Sequence, residues 1–315
     1  MAQAIIQPIS AIIPTANRAR VLHATLVSLS QQNVQPAELI IIDASENNET
    51  FTVCQNPVEN LATKVVYQKA VKKGAASQRN EGIANAQNAF ILLMDDDIIL
   101  EPFCVERLWN ALNADEQIGG VNTMVTNQRY LTPGKLTRMM YQLMSGQKLA
   151  TYAGKCIGPA WNLLPEDDEQ LPYVNRVEWL NTTCTLYKRQ ALPTPVFSSH
   201  FKGYSMMEDL TLSSVVGREW QLFNVRNARI FHDSQPGSHK NNIAVLAKME
   251  LVNRAWVMRN ILYRNKVSDY FKMFVLESFF IIANLSSWKG LKSLPSVLAG
   301  KISGVFTILT AKNSN

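Results

Sequence analysis

The chain has 315 residues, 47% hydrophobic and 18% charged, with a net charge of +6. That length and apolar content support one large domain or two small ones with a real core, and exclude disorder apart from the last few residues, Ala311 to Asn315. Met1 to Ser10 has no basic region ahead of its apolar residues and does not read as a signal peptide, while Cys54, Cys104, Cys156 and Cys184 show no CxxC pairing and read as buried thiols in a reducing cytoplasm.

Ile9 to Ile13 is a short apolar run ending at Pro14 and predicts a strand. Arg18 to Gln32 places Val21, Leu22, Leu26, Val27 and Leu29 at helical spacing. Glu38 to Ile42 is a second strand stopping at Asp43, and Lys64 to Gln68 a third. Gly74 to Ala86 is an Ala-rich helix. Ala89 to Met94 is a fourth strand that runs straight into Asp95, Asp96 and Asp97. Fully apolar strands alternating with helices predict an α/β fold, with a mostly parallel central sheet flanked by helices. Ligands of such sheets bind at the carboxyl ends of the strands, where Asp43 and the acidic triplet fall.

From Asn127 to Glu178 the pattern is less regular, with Pro133-Gly134, Gly158-Pro159 and the acidic run Glu166 to Glu169. It predicts a helix around Leu136 to Leu143 followed by a long loop open to motion. Strand and helix signals return at Trp179 to Tyr187, Leu210 to Val216 and Gln221 to Ile230. From Asn242 the pattern is helical, with one break at Leu294-Pro295. The longest apolar stretch, Met273 to Leu285, is interrupted by Glu277 and falls short of the roughly 20 residues that span a bilayer. The expected organisation is an α/β domain over 1–240, with 127–178 as a variable insertion, and a basic helical extension over 241–315.

Clustered carboxylates repel and favour a cation partner, and hard oxygen ligands at a strand end suit Mg²⁺ or Mn²⁺. Asp95, Asp96 and Asp97 fit that role, though a run of Asp also serves as an acidic loop capping the next helix. Asp43 is placed to accept from a base or ribose, or to close an Asx turn. Arg79, on the helix after Gly74, reaches the nucleotide, fixes Asp43, or lies on the surface. Glu208 and Asp209 open a helix, where acidic residues favour its dipole; Asp209 is also the candidate general base. His232, ending another strand, is either structural or a third metal ligand.

In this order the pieces resemble the family 2 glycosyltransferases. The carriers are Ile12-Ile13-Pro14-Thr15-Ala16-Asn17-Arg18, Ser28 to Gln32, Glu38 to Ser45 and Gly74 to Gly82. They continue with Leu92 to Asp97 as the DxD segment, Glu208-Asp209 with Leu212 as the ED segment, and Ile230-Phe231-His232. The resemblance covers roughly residues 9 to 235. It implies a GT-A fold with inverting transfer from a metal-bound nucleotide sugar, UDP by default, to an acceptor hydroxyl on a glycan or lipid-linked glycan. It implies that Pro14, Thr15, Asp43 and Arg79 surround the nucleotide base. Asp95 and Asp96 would approach the ribose, Asp97 would hold the metal, and Asp209 would deprotonate the acceptor. Trp179, Asn181 and Glu208 would lie near the sugar or acceptor. Ala16 and Ser214 depart from the pattern, standing where an aromatic residue and an arginine are usual.

Two other functions compete. A nucleotidyltransferase would carry a glycine-rich phosphate loop after the first strand, and Pro14 to Arg18 has no glycine. A silent sugar-nucleotide or glycan-binding protein would not need the acidic set. Residues 240–315 carry a net +8 and residues 1–239 a net −2. The basic tail therefore reads either as a peripheral attachment to an anionic inner leaflet or as helices packed on the catalytic domain with a solvated basic face. No nucleic-acid motif accompanies the charge.

Overall fold

A computed structural model describes residues 3–56, 58–234 and 242–311. The elements run β1 (Ile5–Thr15), α1 (Ala19–Ser30), β2 (Val34–Asp43), α2 (Glu49–Gln55), β3 (Lys64–Lys69), α3 (Ala75–Asn85), β4 (Phe90–Met94), β5 (Ile98–Leu100), α4 (Cys104–Leu112) and β6 (Ile118–Val125). They continue with α5 (Lys135–Ser145), β7 (Cys156–Ile157), β8 (Trp161–Asn162), β9 (Val174–Val177), β10 (Cys184–Lys188), α6 (Glu208–Val216), β11 (Gln221–His232), α7 (Ile243–Asn260), α8 (Val267–Asn284) and α9 (Trp288–Ala311). The chain divides into two compact units. One is Met1–Tyr130 with Leu164–Gln235; the other is Leu131–Leu163 with Pro236–Asn315. The irregular middle of the sequence is thus shared: its first half belongs with the C-terminal helices.

In the first unit the strands lie in the order β3-β2-β1-β4-β10-β6-β11-β5, with β9 on β11. β1, β2, β3 and β4 are mutually parallel, and β6 is parallel to β11. β10 enters antiparallel between β4 and β6. Ile9, Ala11, Ile12 and Ile13 have no exposed surface, as expected of strands covered on both faces. Leu22, Leu26 and Leu29 of α1 close one side. On α3 the sheet comes so close that a Cβ at Gly82 would stand 2.5 Å from Ile12 Cγ2.

β1 and β2 run beyond the apolar cores that announce them, through Pro8, Pro14 and Pro36. The pairing explains why these prolines are tolerated. β4 pairs only with Ile9 to Ile12, and β3 joins β2 only from Glu38 onward. All three prolines therefore sit where one neighbour strand is missing and no second ladder bond is needed. The strand expected over Trp179 to Tyr187 begins only at Cys184. Upstream backbone groups are taken otherwise: Ser213 Oγ bonds both Leu180 N and O, and Thr183 O accepts from Asp95 N at 2.9 Å. Nor is the acidic run free, since Asp167 pairs with Arg229 at 3.0 Å and with Arg226 at 3.8 Å.

The second unit holds α5, the β7–β8 hairpin and helices α7, α8 and α9. The helical stretch breaks after Asn260 and after Asn284, and Pro295 lies inside α9. A proline within a helix removes one backbone bond at a cost of roughly 3 kcal/mol. Five residues on, α9 packs closely against α7: a Cβ at Gly300 would meet Ala244 O at 2.2 Å. Trp161 sits between Tyr141 and Phe280, with ring centroids 4.9 and 5.2 Å away, and joins the hairpin to α5 and α8.

Candidate active site

Register brings the polar strand ends to one rim. Thr15 pairs with Asp43, and Asp43 with Lys69, so β1, β2 and β3 end level. β4 ends beside β1 and delivers Asp95 to Asp97 there. Antiparallel β10 begins at the same edge, since Cys184 pairs with Met94. His232, the last residue of β11, pairs with Ile98 just beyond the triplet.

The three aspartates have different surroundings. Asp96 is buried; its carboxylate accepts from Thr15 Oγ1 at 2.6 Å and Arg18 at 2.9 Å. Burial pushes its carboxyl up to about 6, opposed by Arg18 and Thr15. Its carbonyl and that of Ile98 both accept from Thr25 Oγ1. Asp97 carries Arg18 at 3.2 Å on one oxygen and His232 Nε2 at 3.0 Å on the other. Asp95 is half-buried and accepts from Arg79 at 2.6 Å.

Asp95, Asp97 and His232 each offer a ligand atom, all within 4.8 Å of one another. Gln128 lies 3.0 Å from His232 Nδ1, which orients the ring so that Nε2 faces Asp97. Two carboxylates and an imidazole suit a divalent ion such as Mn²⁺. The donor set therefore fits a metal, and Asp95 joins the two ligands expected from the sequence.

Arg79 is buried and does not reach Asp43. Its two terminal nitrogens divide between Asp95 and Glu208, across the sheet rim to the start of α6. Burial raises the Glu208 carboxyl to about 7, against the pull of Arg79. Asp209 stands next on α6; burial raises its carboxyl to about 6, opposed by the Leu210 N–H, which donates at 2.7 Å. A raised carboxyl near neutrality is suited to exchange a proton at working pH.

The other expected residues fall as follows. Asp43 has no exposed surface; it accepts from Ser45 N–H at 2.8 Å, from the Ser45 hydroxyl, and from Tyr67 at 2.9 Å. Ser45 Oγ in turn accepts from Asn17 N, tying the β1 and β2 loops together. Pro14 is half-buried beside Thr15. Trp179 is buried, and Asn181 is half-buried with its Oδ1 enclosed and unbonded. Asn181 lies on the segment that Ser213 and Asp95 pin from either side.

Sequence reasoning missed Arg18, Thr25 and Gln78. Gln78 Nε2 donates to Thr15 O at 3.0 Å and Ile42 O at 2.7 Å, fixing the ends of β1 and β2. Its signal was a polar residue on the inward face of α3, beside Arg79.

The family model described as Glycosyl transferase family 2 matches residues 10–194. A chondroitin synthase from Pasteurella multocida is 31% identical over 111 residues, covering 35% of this chain and 12% of that protein. A PGL/p-HBAD biosynthesis glycosyltransferase from Mycobacterium bovis is 27% identical over 138 residues, covering 42% of this chain and 54% of that protein. The matched stretches thus span about half, or far less, of these relatives' lengths. Among solved structures, S. aureus TarS 1–349 with UDP-GlcNAc has a TM-score of 0.55 at 14% identity, covering 93% of this chain and 79% of that one. A mannosyltransferase from Pyrobaculum calidifontis with GDP-Man and Mn2+ has a TM-score of 0.54 at 13% identity, covering 98% and 79%. At these identities the likeness is one of fold, and the fold is GT-A.

Proposed function

Because the chain belongs to glycosyl transferase family 2, we propose that it moves a sugar, with inversion, from a UDP-sugar to a hydroxyl of a glycan or lipid-linked glycan, in cell-surface polysaccharide or glycolipid synthesis. One observation carries this reading. Asp95, Asp97 and His232 converge on one point, while Asp209 offers a separate carboxyl beside Glu208, which shares Arg79 with Asp95.

Asp95, Asp97 and His232 would hold a divalent ion, Mg²⁺ or Mn²⁺, whose charge neutralises the leaving diphosphate. Thr15 and Arg18 hold Asp96 and set the height of the rim against the ribose. Pro14 and Thr15 line the base. Asp43, enclosed by Ser45 and Tyr67, fixes the two loops that cradle it. Arg79 carries the nucleotide side of the site and positions Asp95 and Glu208. Asn181, with its unbonded oxygen, is suited to a sugar or acceptor hydroxyl; Trp179 is buried two residues before it.

In the transfer itself the acceptor oxygen bonds to the anomeric carbon as the carbon–oxygen bond to the diphosphate breaks. The proton of the acceptor passes to Asp209. Glu208 stays paired with Arg79 and keeps α6 in place. We also assign the chain to the cytoplasmic side of a membrane; of the basic residues in 242–310, Arg254 and Lys301 are paired with Glu250 and Glu277 and do not face lipid.

A panel of nucleotide sugars tested for Mn²⁺-dependent thermal stabilisation checks the donor. A ligand held only by the folded state raises the melting temperature. UDP-sugars should stabilise with Mn²⁺ and not with a chelator; stabilisation that ignores the metal, or none by any nucleotide sugar, overturns the reading.

A further inference from the structure

Two helices of the second unit, α8 and α9, are built with their polarity reversed, whereas α7 buries Leu251, Val257 and Met258 in the usual way. Helices that fold in water turn apolar residues inward and charges outward. Here α8 buries Leu276 and Glu277, and exposes Phe271, Phe274 and Ile282. α9 turns Gly300, Lys301 and Gly304 inward. Its outer face carries Ile302, Val305, Phe306 and Leu309, each about half exposed or more.

The charges inside form a closed ring across three helices. Arg254 meets Glu250 at 2.8 Å and Glu277 at 3.0 Å; Lys301 meets Glu250 at 2.8 Å and Glu277 at 2.6 Å. Two cations and two anions cancel. In water such a ring is weak support for a fold, because desolvating each ion offsets the attraction. In hydrocarbon it is the rule: ionisable groups face the bundle interior and pair with one another, and small residues let helices approach.

Length and end groups agree. Trp288–Thr310 is 23 residues long and contains an 18-residue stretch of mean hydropathy 1.3, of which only 17% is buried. At 1.5 Å per residue such a helix is about 35 Å long, near the ~30 Å of a bilayer core. Trp288, Lys289 and Lys292 gather at one end, and Lys266 precedes α8. Aromatic and cationic residues of that kind sit at the headgroup level.

We propose that the outward faces of α8 and α9 are embedded in the acyl layer of a phospholipid bilayer, with Trp288, Lys289 and Lys292 at its surface and the four-residue ion ring on the inner side of the helices, turned away from the lipid. Attachment is then hydrophobic rather than adsorption of a basic tail. The inference rests on the helical unit alone and is independent of the sugar-transfer reading.

The test is flotation of the full chain with vesicles of phosphatidylcholine and, separately, of phosphatidylglycerol, at low salt and at about 1 M salt, where screening is nearly complete. Embedding predicts flotation with both lipids that survives salt. It also predicts that Ile302→Lys weakens partitioning by about a hundredfold, since a lysine within hydrocarbon is strongly unfavourable. Charge adsorption predicts the opposite sign, because the substitution adds a cation. Val71→Lys, on the sheet unit, is the matched control and should change nothing. Quenching of wild-type tryptophan fluorescence by brominated lipid, abolished in part by Trp288→Phe, supplies a readout that does not depend on Ile302→Lys folding. Flotation confined to phosphatidylglycerol at low salt, absence of flotation, or a vesicle-indifferent dimer that hides these faces would overturn the proposal.

Discussion

His232 Nε2 lies 3.0 Å from Asp97 Oδ1, joining the end of β11 to the turn after β4. The contact exists because β11 pairs with β5, the strand that follows the acidic triplet. With Asp95 it makes the cluster on which cation binding is proposed to depend.

Replacing His232 by Ala should therefore weaken Mn²⁺ binding by at least about tenfold, a loss in the range seen when metal-site side chains are changed. Calorimetric titration of Mn²⁺ into the protein with UDP present reads this directly. An unchanged affinity would assign His232 to structure alone.

Arg79 neutralises two acids at once, Asp95 and Glu208. Arg79→Met should destabilise the protein by about 3 kcal/mol, because breaking a buried pair leaves its partner uncompensated. Arg79→Lys should not restore it, since one ammonium cannot reproduce a forked guanidinium. Urea denaturation of both variants checks this; full stability in the lysine variant would contradict the bridging role.

Asp209 must be ionised to accept a proton, and burial holds its carboxyl up to about 6. The value of kcat/KM should fall as pH drops through about 6. Stability should move the other way. A carboxyl raised above its unfolded value of about 3.9 retains its proton in the folded state after the unfolded chain has lost it. Metal-free protein should therefore lose stability as pH rises from about 4 to 6, and Glu208, raised to about 7, extends that window upward. Melting temperature against pH, for wild type and Asp209→Asn, measures the effect, which the variant should reduce.

Gly82 admits no side chain against Ile12. Gly82→Ala gains up to about 1 kcal/mol of helix propensity but overpacks the α3–sheet contact by about 1–3 kcal/mol. A net loss of stability should appear in thermal unfolding; a net gain would show that α3 can shift outward without penalty.

Much of the sheet was legible because its strands are apolar throughout, as at Ile40 to Ile42 and Ile91 to Met94, and stop at acids. The strand ends were less legible: whether Pro14 or Pro36 ends a strand depends on which neighbour is absent, and pairing is not written locally. The same holds for Arg18, Thr25 and Gln78, polar residues whose partners lie on other elements. In the helical region a break was expected at Pro295, yet α9 continues through it. Glu277 hid the length of the apolar surface, since nothing local says that Lys301 and Arg254 neutralise it.

The account turns on separate tasks for two acids, cation holding at Asp97 and proton acceptance at Asp209. Donor binding and sugar transfer measured together on Asp209→Asn address it most directly. The account predicts Mn²⁺-dependent donor binding close to that of wild type, with transfer reduced by about 10²- to 10⁴-fold. Transfer at the wild-type rate in that variant would contradict it.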